Sequence, residues 1–265
     1  LCILLGFFGR LWWIFDLFSN FYLQYFIVLL VVFAGLIFLR AWRYVYITGA
    51  VLVFLAYSIF AIYIPRSSGG TADMRVMWFN VYIENHQMKP IADYINETNP
   101  DIVVLTEITQ SLSQELDTLM PDYALLGYVS GEHLSQIAVL GKSSTVPISV
   151  TRIDPVASQA SLVKITTNRG GSDLVIYTMH TIPPFPSSSA RLRSLELAQL
   201  ARVGSLEKNP HLVIGDFNLT PWSRYFFNFI KTSGLHDSRK GFGLGLSWGM
   251  GRSLLFQLPI DHAFV

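Results

Sequence analysis

The stretch His211-Leu-Val-Ile-Gly-Asp-Phe-Asn-Leu-Thr-Pro-Trp-Ser223 decides how this chain is read. A short apolar run ends in Gly215, and a carboxylate, Asp216, and a carboxamide, Asn218, follow two positions apart. In an extended chain alternate side chains share one side, so both polar groups are expected to face the same way. Gly215 is expected to let the backbone turn tightly. Thr220 is expected to cap a helix with Pro221 at its first position, ended just before Gly234. The spacing therefore predicts a buried strand whose tip presents two polar groups, held by the helix after it.

Similar tips recur along residues 74–265. Met74–Val81 reads as a strand ending at Asn80. Asp101–Glu107 is a continuous apolar run ending at Glu107, the pattern of a strand buried on both faces. Tyr123–Val129, Gln136–Leu140, Val146–Thr151, Ser161–Thr166 and Leu174–His180 follow as strands, divided by turn signals such as Asn168-Arg-Gly-Gly171. The fifth of these ends at His180. A last strand, Ile260–Val265, holds Asp261 and His262. Helices are expected at Met88–Thr98, at Ser111–Met120 with Leu112, Leu116 and Leu119 on one face, and at Ala190–Leu206 with Leu192, Leu195, Leu200 and Val203. Gly241–Gly251 lacks the Gly-Lys-Ser/Thr end of a phosphate loop and reads as a flexible loop.

If the strand ends converge, one rim carries two or three carboxylates, two carboxamides and a histidine. Carboxylate and carboxamide oxygens are hard donors that suit Mg²⁺, and Mn²⁺ or Ca²⁺ equally, whereas zinc would want more His or Cys. Glu107 is the best candidate ligand, with Asn80 beside it. A histidine next to the metal can donate to a phosphate oxygen, and a carboxylate–carboxamide pair can orient a water for in-line attack. Together these groups point to metal-assisted phosphoester hydrolysis. Each also fits a structural role: Asn80 as a turn residue, Glu107 as a helix cap, Asp216 and Asn218 as an Asx turn. Their order and spacing favour chemistry. His86, His133, His211 and His236 have no neighbours of catalytic type.

The composition divides the chain. It is 51% hydrophobic and 14% charged over 265 residues, yet residues 1–64 hold only Arg10, Asp16, Arg40 and Arg43 as charged groups. Phe21–Leu39 and Val45–Ile64 are uncharged runs of 19 and 20 residues. As helices they would be about 28–30 Å long, the thickness of a bilayer's hydrocarbon core. Both are expected as membrane spans, and Leu1–Phe15 as the end of an earlier one. A signal peptide or a buried soluble bundle fits less well, because a second long span follows and neither run has a polar face. Arg40 and Arg43 between the spans predict a cytoplasmic turn. The last span would then carry the chain outward through a linker, residues 65–72, to a globular part at 73–265 facing the periplasm or the exterior. The front carries net +2 and the remainder about −1, which gives no basic footprint for gripping a polyanion. The only cysteine, Cys2, lies in the front. Asn-x-Thr sequons occur at Asn96 and Asn218, and no protein partner can be inferred.

Gly215-Asp216-Phe217-Asn218 resembles the signature of the endonuclease/exonuclease/phosphatase superfamily, and the resemblance spans about residues 73–265. "MRVMWFNVY" is similar to its first strand, with the metal-site Asn at Asn80, and "PDIVVLTEI" to its second, with the metal-ligating Glu at Glu107. "YTMHT" is similar to the strand end carrying the phosphate-contacting His, here His180. Asp216 and Asn218 match the pair that orients the nucleophile and contacts the phosphate. "LSWGM" resembles an element that lines the site, here Ser247 and Trp248, and "LPIDHAFV" resembles the Ile-Asp-His strand, adding Asp261 to the catalytic set. The family closes on a further Asp-His motif. Val265 comes before any such motif, so His262 is not assigned that role and the native chain is expected to continue. The apolar front resembles the bacterial membrane-bound branch of the family.

The resemblance implies an α/β (α+β) fold, a four-layer α/β/β/α sandwich of two mixed sheets, preceded here by transmembrane helices. It implies a membrane-anchored, Mg²⁺-dependent phosphodiester hydrolase, expected in a bacterial inner membrane with a periplasmic domain. A lipid headgroup or small phosphoester is the favoured substrate. The alternatives are a nuclease acting on nucleic acid and a non-catalytic membrane protein that uses the fold as a binding module.

Overall fold

The computed structural model describes residues 1–65, 74–130, 136–142, 148–153, 160–169, 171–249 and 253–265. Most of the expected linker, and His133, lie outside them. In chain order the elements are α1 (Cys2–Gly6), α2 (Trp13–Ser19), α3 (Tyr22–Phe38), α4 (Trp42–Phe60), β1 (Val76–Asn80), α5 (Lys89–Thr98), β2 (Ile102–Thr106), α6 (Gln110–Leu119), β3 (Tyr123–Val129), β4 (Ile137–Lys142), β5 (Ile148–Ile153), β6 (Leu162–Arg169), β7 (Ser172–His180), α7 (Ser187–Leu206), β8 (His211–Asp216), α8 (Arg224–Ser233), β9 (Trp248–Gly249), β10 (Gln257–Leu258) and β11 (Asp261–Phe264). They group into two compact units. One holds Leu1–Ser68, Asn218–Lys231 and Asp237–Asp261; the other holds Gly69–Phe217, Thr232–His236 and His262–Val265.

The second unit is built on two mixed sheets, ordered β1-β2-β4-β3 and β11-β8-β7-β6-β5. Each contains a parallel pair, β1 with β2 in the first and β7 with β8 in the second. β2 reads Ile-Val-Val-Leu-Thr and is buried throughout. Its alternation feeds two cores at once. Ile102 and Val104 join Ile137, Val139, Val163, Ile165 and Ile176 between the sheets. Val103 and Leu105 face the other way, into a core with Ala92 and Ile95 of α5 and Leu112 and Leu116 of α6. α7 packs beside β8. The layers are helix, sheet, sheet, helix, as the sequence implies.

Local signals place the boundaries. α5 stops at Asn99, whose backbone is left-handed, just before Pro100. Thr109 caps α6 by accepting a hydrogen bond from the Leu112 amide. Two expectations are corrected. The buried stripe of α7 is Ala190, Arg193, Glu196, Leu197, Leu200, Ala201 and Gly204. Of the residues singled out there, Leu192, Leu195, Leu200 and Val203, only Leu200 lies on that stripe, and Leu195 is exposed. The helix after the signature begins at Arg224, three residues later than expected. Thr220 lies too far before this start to cap it, and its hydroxyl donates to Asn20; Ser223, next to the start, accepts at Oγ from the Tyr225 amide.

The first unit holds the apolar front. Among the described residues one helical stretch, Trp42–Tyr63, is long and apolar enough to cross a bilayer. α3 has 17 residues, and it passes the same test only together with α2, from which it is bent by 61°. Leu1–Phe15 is not one helix: α1 ends at Gly6 and α2 begins at Trp13. A side chain at Gly9 would come within 2.9 Å of Asp16, so this stretch folds back on itself. Tyr22, Leu55, Ile59 and Ile62 pack around Trp222, with Leu244 against them.

A part-buried polar knot braces α7 against the second sheet. Glu207 Oε2 accepts from Lys164 at 3.0 Å and from the Tyr177 hydroxyl at 2.8 Å. Burial pushes the Glu207 carboxyl up, but hydrogen bonds from the Asn209 backbone, Tyr177 and Lys164 outweigh it and hold it at about 2, against an ordinary 4.5. The folded value lies below the unfolded one, so this stabilisation is complete above about pH 4.5 and is lost as the pH falls towards 2. Glu207→Gln should therefore destabilise the protein at neutral pH. In denaturant titrations at successive pH values, the gap between variant and wild type should narrow below pH 4.5 and close near pH 2.

Candidate active site

Asn80, Glu107, His180 and Asp216 come together in the two-sheet unit, at the ends of β1, β2, β7 and β8. Parallel pairing sets Asn80 opposite Thr106, the residue before Glu107, and His180 opposite Asp216. Glu107 is buried. Its Oε1 accepts from Asn80 Nδ2 at 2.6 Å, and its Oε2 accepts from the Ile83 amide at 3.0 Å. Asn80 Oδ1 accepts in turn from the Tyr82 amide at 2.9 Å. The buried His180 ring lies between two carboxylates, its Nδ1 3.7 Å from Glu107 Oε1 and its Nε2 3.5 Å from Asp216 Oδ2. Those separations are longer than good hydrogen bonds.

Two of the candidate residues have a strained backbone. Glu107 has φ 57° and Asn218 has φ 48°, a left-handed backbone that costs roughly 1–2 kcal/mol for a residue with a Cβ. The strain ends β2 at Thr106 and takes Glu107 off the strand's alternation. It also corrects the expectation that Asp216 and Asn218 share a side by alternation: β8 ends at Asp216, and the chain is not extended through Asn218. The reading of Gly215 changes as well. It sits within β8 and makes no turn; a Cβ there would lie 2.0 Å from the Met179 carbonyl oxygen of β7. Only glycine allows that approach of backbone to backbone.

The remaining candidates belong to the unit that contains the N-terminal helices. Ser247 Oγ accepts from the Ile260 and Asp261 amides at 3.3 and 3.2 Å, which fixes the backbone under Asp261. Trp248 pairs with Leu258 across β9 and β10 and is half exposed. In the two-sheet unit His262 is buried and stacks on Phe217 and Phe264. His211 bonds the Asn209 carbonyl, and His236 exchanges backbone bonds with Val265.

The residues present suit a hard cation. Among the described residues no group of three or more His, Cys, Asp and Glu side chains is arranged to hold a metal. Mg²⁺ needs no such cage, since one or two carboxylates with water and phosphate oxygens complete its shell. Glu107 supplies the carboxylate. Asn80 meets it through its NH₂, so the carboxamide orients the carboxylate while its oxygen keeps a second lone pair.

Sequence reading missed Arg193 and Glu196, both almost fully buried in α7. Glu196 Oε2 accepts from the Ile182 amide at 3.0 Å, so it holds the loop that leaves His180. The signal was present: both lie on the stripe shared by Leu197, Leu200 and Gly204, where a charge needs a partner.

The family profile described as Endonuclease/Exonuclease/phosphatase family matches residues 77–265. The chain belongs to this family. No curated protein matches it in sequence. Among solved structures, D. rerio TDP2 complexed with single strand DNA product has TM-score 0.60 and 16% identity, covering 72% of this chain and 82% of that one. The human Nocturnin catalytic domain with bound sulfate anion has TM-score 0.53 and 18% identity over 72% and 82%. A β-hairpin deletion mutant of β toxin from Staphylococcus aureus has TM-score 0.51 and 16% identity over 73% and 87%. At such identities these likenesses show the fold alone.

Gly215 gives a direct test of the register. Gly215→Ala should cost more than the roughly 1–3 kcal/mol of ordinary overpacking, because the clash is with backbone. Gly171, with open space around it, should lose only about 1–2 kcal/mol as alanine, from its left-handed φ. Unfolding midpoints of the two variants measure the difference.

Proposed function

We propose that the protein is a membrane-anchored, divalent-metal-dependent phosphodiester hydrolase. The observation that carries this reading is the buried cluster in which His180 lies between Glu107 and Asp216 while Asn80 is bonded to Glu107. Glu107 would hold Mg²⁺, with Asn80 at the same site, and the ion would neutralise phosphate charge when bound. The protein's own groups do the rest. His180 donates to a phosphate oxygen as negative charge builds up. Asp216 orients the attacking water and takes its proton. Asn218 contacts the phosphate, Asp261 completes the polar set, and Ser247 and Trp248 line the site. A metal titration with a chromogenic phosphodiester checks the assignment. Glu107→Gln should weaken metal dependence, and Asp216→Asn should lower turnover about 10²–10³-fold with little change in thermal midpoint. Wild-type turnover for both would overturn it.

The substrate proposed is a lipid headgroup or a small phosphodiester. The globular part carries about −1 net charge, a poor match to a long polyanion. The DNA product in the D. rerio complex supports nucleic acid as the second reading. Comparing DNA, RNA, sphingomyelin and phosphoinositides decides between them.

Residues 1–64 are proposed as the membrane region, 65–72 as a linker and 73–265 as the catalytic domain, in the bacterial membrane-bound branch of the family. Support comes from the exposed apolar stretch Trp42–Tyr63 and from Arg40 and Arg43 before it, which favour a cytoplasmic turn. The catalytic domain would then face the periplasm. A reporter active only in the cytoplasm, fused after Ser68, should stay silent; a bright signal would invert the orientation.

A further inference from the structure

Asn218 leads directly into Leu219-Thr220-Pro221-Trp222-Ser223, five residues that are all buried. Much of what their side chains bond and pack against comes from the N-terminal helices. Thr220 Oγ1 donates to Asn20 Oδ1 at 3.0 Å, and Ser223 Oγ donates to Asp16 Oδ1 at 2.7 Å. Trp222 Nε1 donates to the Ser58 carbonyl at 3.2 Å, and its ring stacks on Tyr22 with centroids 5.4 Å apart. Asp16 is the only acid in residues 1–64 and has no exposed surface. Its backbone carbonyl accepts from Ser19 Oγ at 2.6 Å.

A buried carboxylate in an apolar segment is costly unless hydrogen bonds satisfy it. A span that only had to cross a bilayer would gain nothing from one. Here the carboxylate meets the hydroxyl five residues beyond Asn218. Asn218 itself is held at φ 48°, a conformation that persists only when its surroundings enforce it. Without the two clamps at Thr220 and Ser223, the loop could relax Asn218 towards negative φ and carry its carboxamide away.

We propose that Asp16 and Asn20 are positioning residues of the hydrolase, acting on Asn218 through Ser223 and Thr220. The apolar front is then a working part of the enzyme as well as an anchor. This rests on the reading of Asn218 as a phosphate contact.

The test uses the full chain in detergent or vesicles, with bis(4-nitrophenyl) phosphate and Mg²⁺ as the probe. Asp16→Ala should lower kcat about 10–10²-fold, the scale of a 1 Å misplacement, with KM changed less than about threefold. Asp16→Asn, which keeps an acceptor for Ser223, should recover most of that loss. The double variant Asp16→Ala/Asn218→Ala should be no slower than Asn218→Ala, because both act through one contact. Independent, multiplying losses would overturn the proposal, as would wild-type kcat for Asp16→Ala. Thr220→Val, which exchanges one hydroxyl for a methyl, carries the same test if Asp16→Ala does not fold.

Hydrogen exchange supplies a readout free of catalysis. Amides of residues 219, 220 and 222–225 should lose protection in the variants while those of 211–216 keep theirs. Unchanged protection of the first set would also overturn the proposal. If the wild-type chain hydrolyses no phosphodiester, the functional reading fails while exchange still decides whether the helices hold the loop.

Discussion

Parallel pairing of β7 with β8 is the constraint on which the candidate site depends. Parallel strands end at the same edge of a sheet, so His180 and Asp216 finish side by side. The first sheet repeats the device, with Asn80 of β1 beside Thr106 of β2 and Glu107 one step further. The two sheets share a core of Ile102, Val104, Ile165 and Ile176, so two parallel pairs supply four polar ends to one cluster. Glycine at 215 lets β8 lie against the carbonyl of Met179. A larger residue there would push Asp216 away from the ring it faces.

Much of this was legible in the sequence because strand signals are local. The apolar run of β2 announced burial on both faces, and the polar residue closing each of four strands announced the rim. The less legible parts depend on partners far along the chain. Thr220 resembles a helix cap by every local rule, yet α8 starts only at Arg224, and the Thr220 hydroxyl bonds Asn20, 200 positions earlier. Alternation placed Asp216 and Asn218 on one side, and the left-handed backbone at Asn218 overrode it. Of the apolar residues singled out along α7 only Leu200 lies on its buried face. That face also carries Arg193 and Glu196, and Glu196 accepts from the Ile182 amide in the loop after His180.

The two carboxylates flanking His180 are held differently, and this suits different tasks. Glu107 accepts from a backbone amide and from Asn80, so its orientation is fixed before any ligand arrives. Asp216 ends a strand whose register is locked by Gly215. Such preorganisation is what electrostatic stabilisation of a transition state requires, since groups already in place need not reorganise during the reaction.

The link between Asp16 and Ser223 also bears on how the chain reaches its final form. The two residues are 207 positions apart. At ordinary rates of synthesis, roughly 5–20 residues per second, about 10–40 s separate the emergence of one from that of the other. During that interval α1 to α4 exist while their partners in the signature loop do not. A carboxylate committed to a buried position must wait, solvated or bonded elsewhere, until Ser223 appears. The helical front therefore cannot complete its packing against Ser223 until the last fifth of the chain is being made, so docking of the loop is a late event in folding.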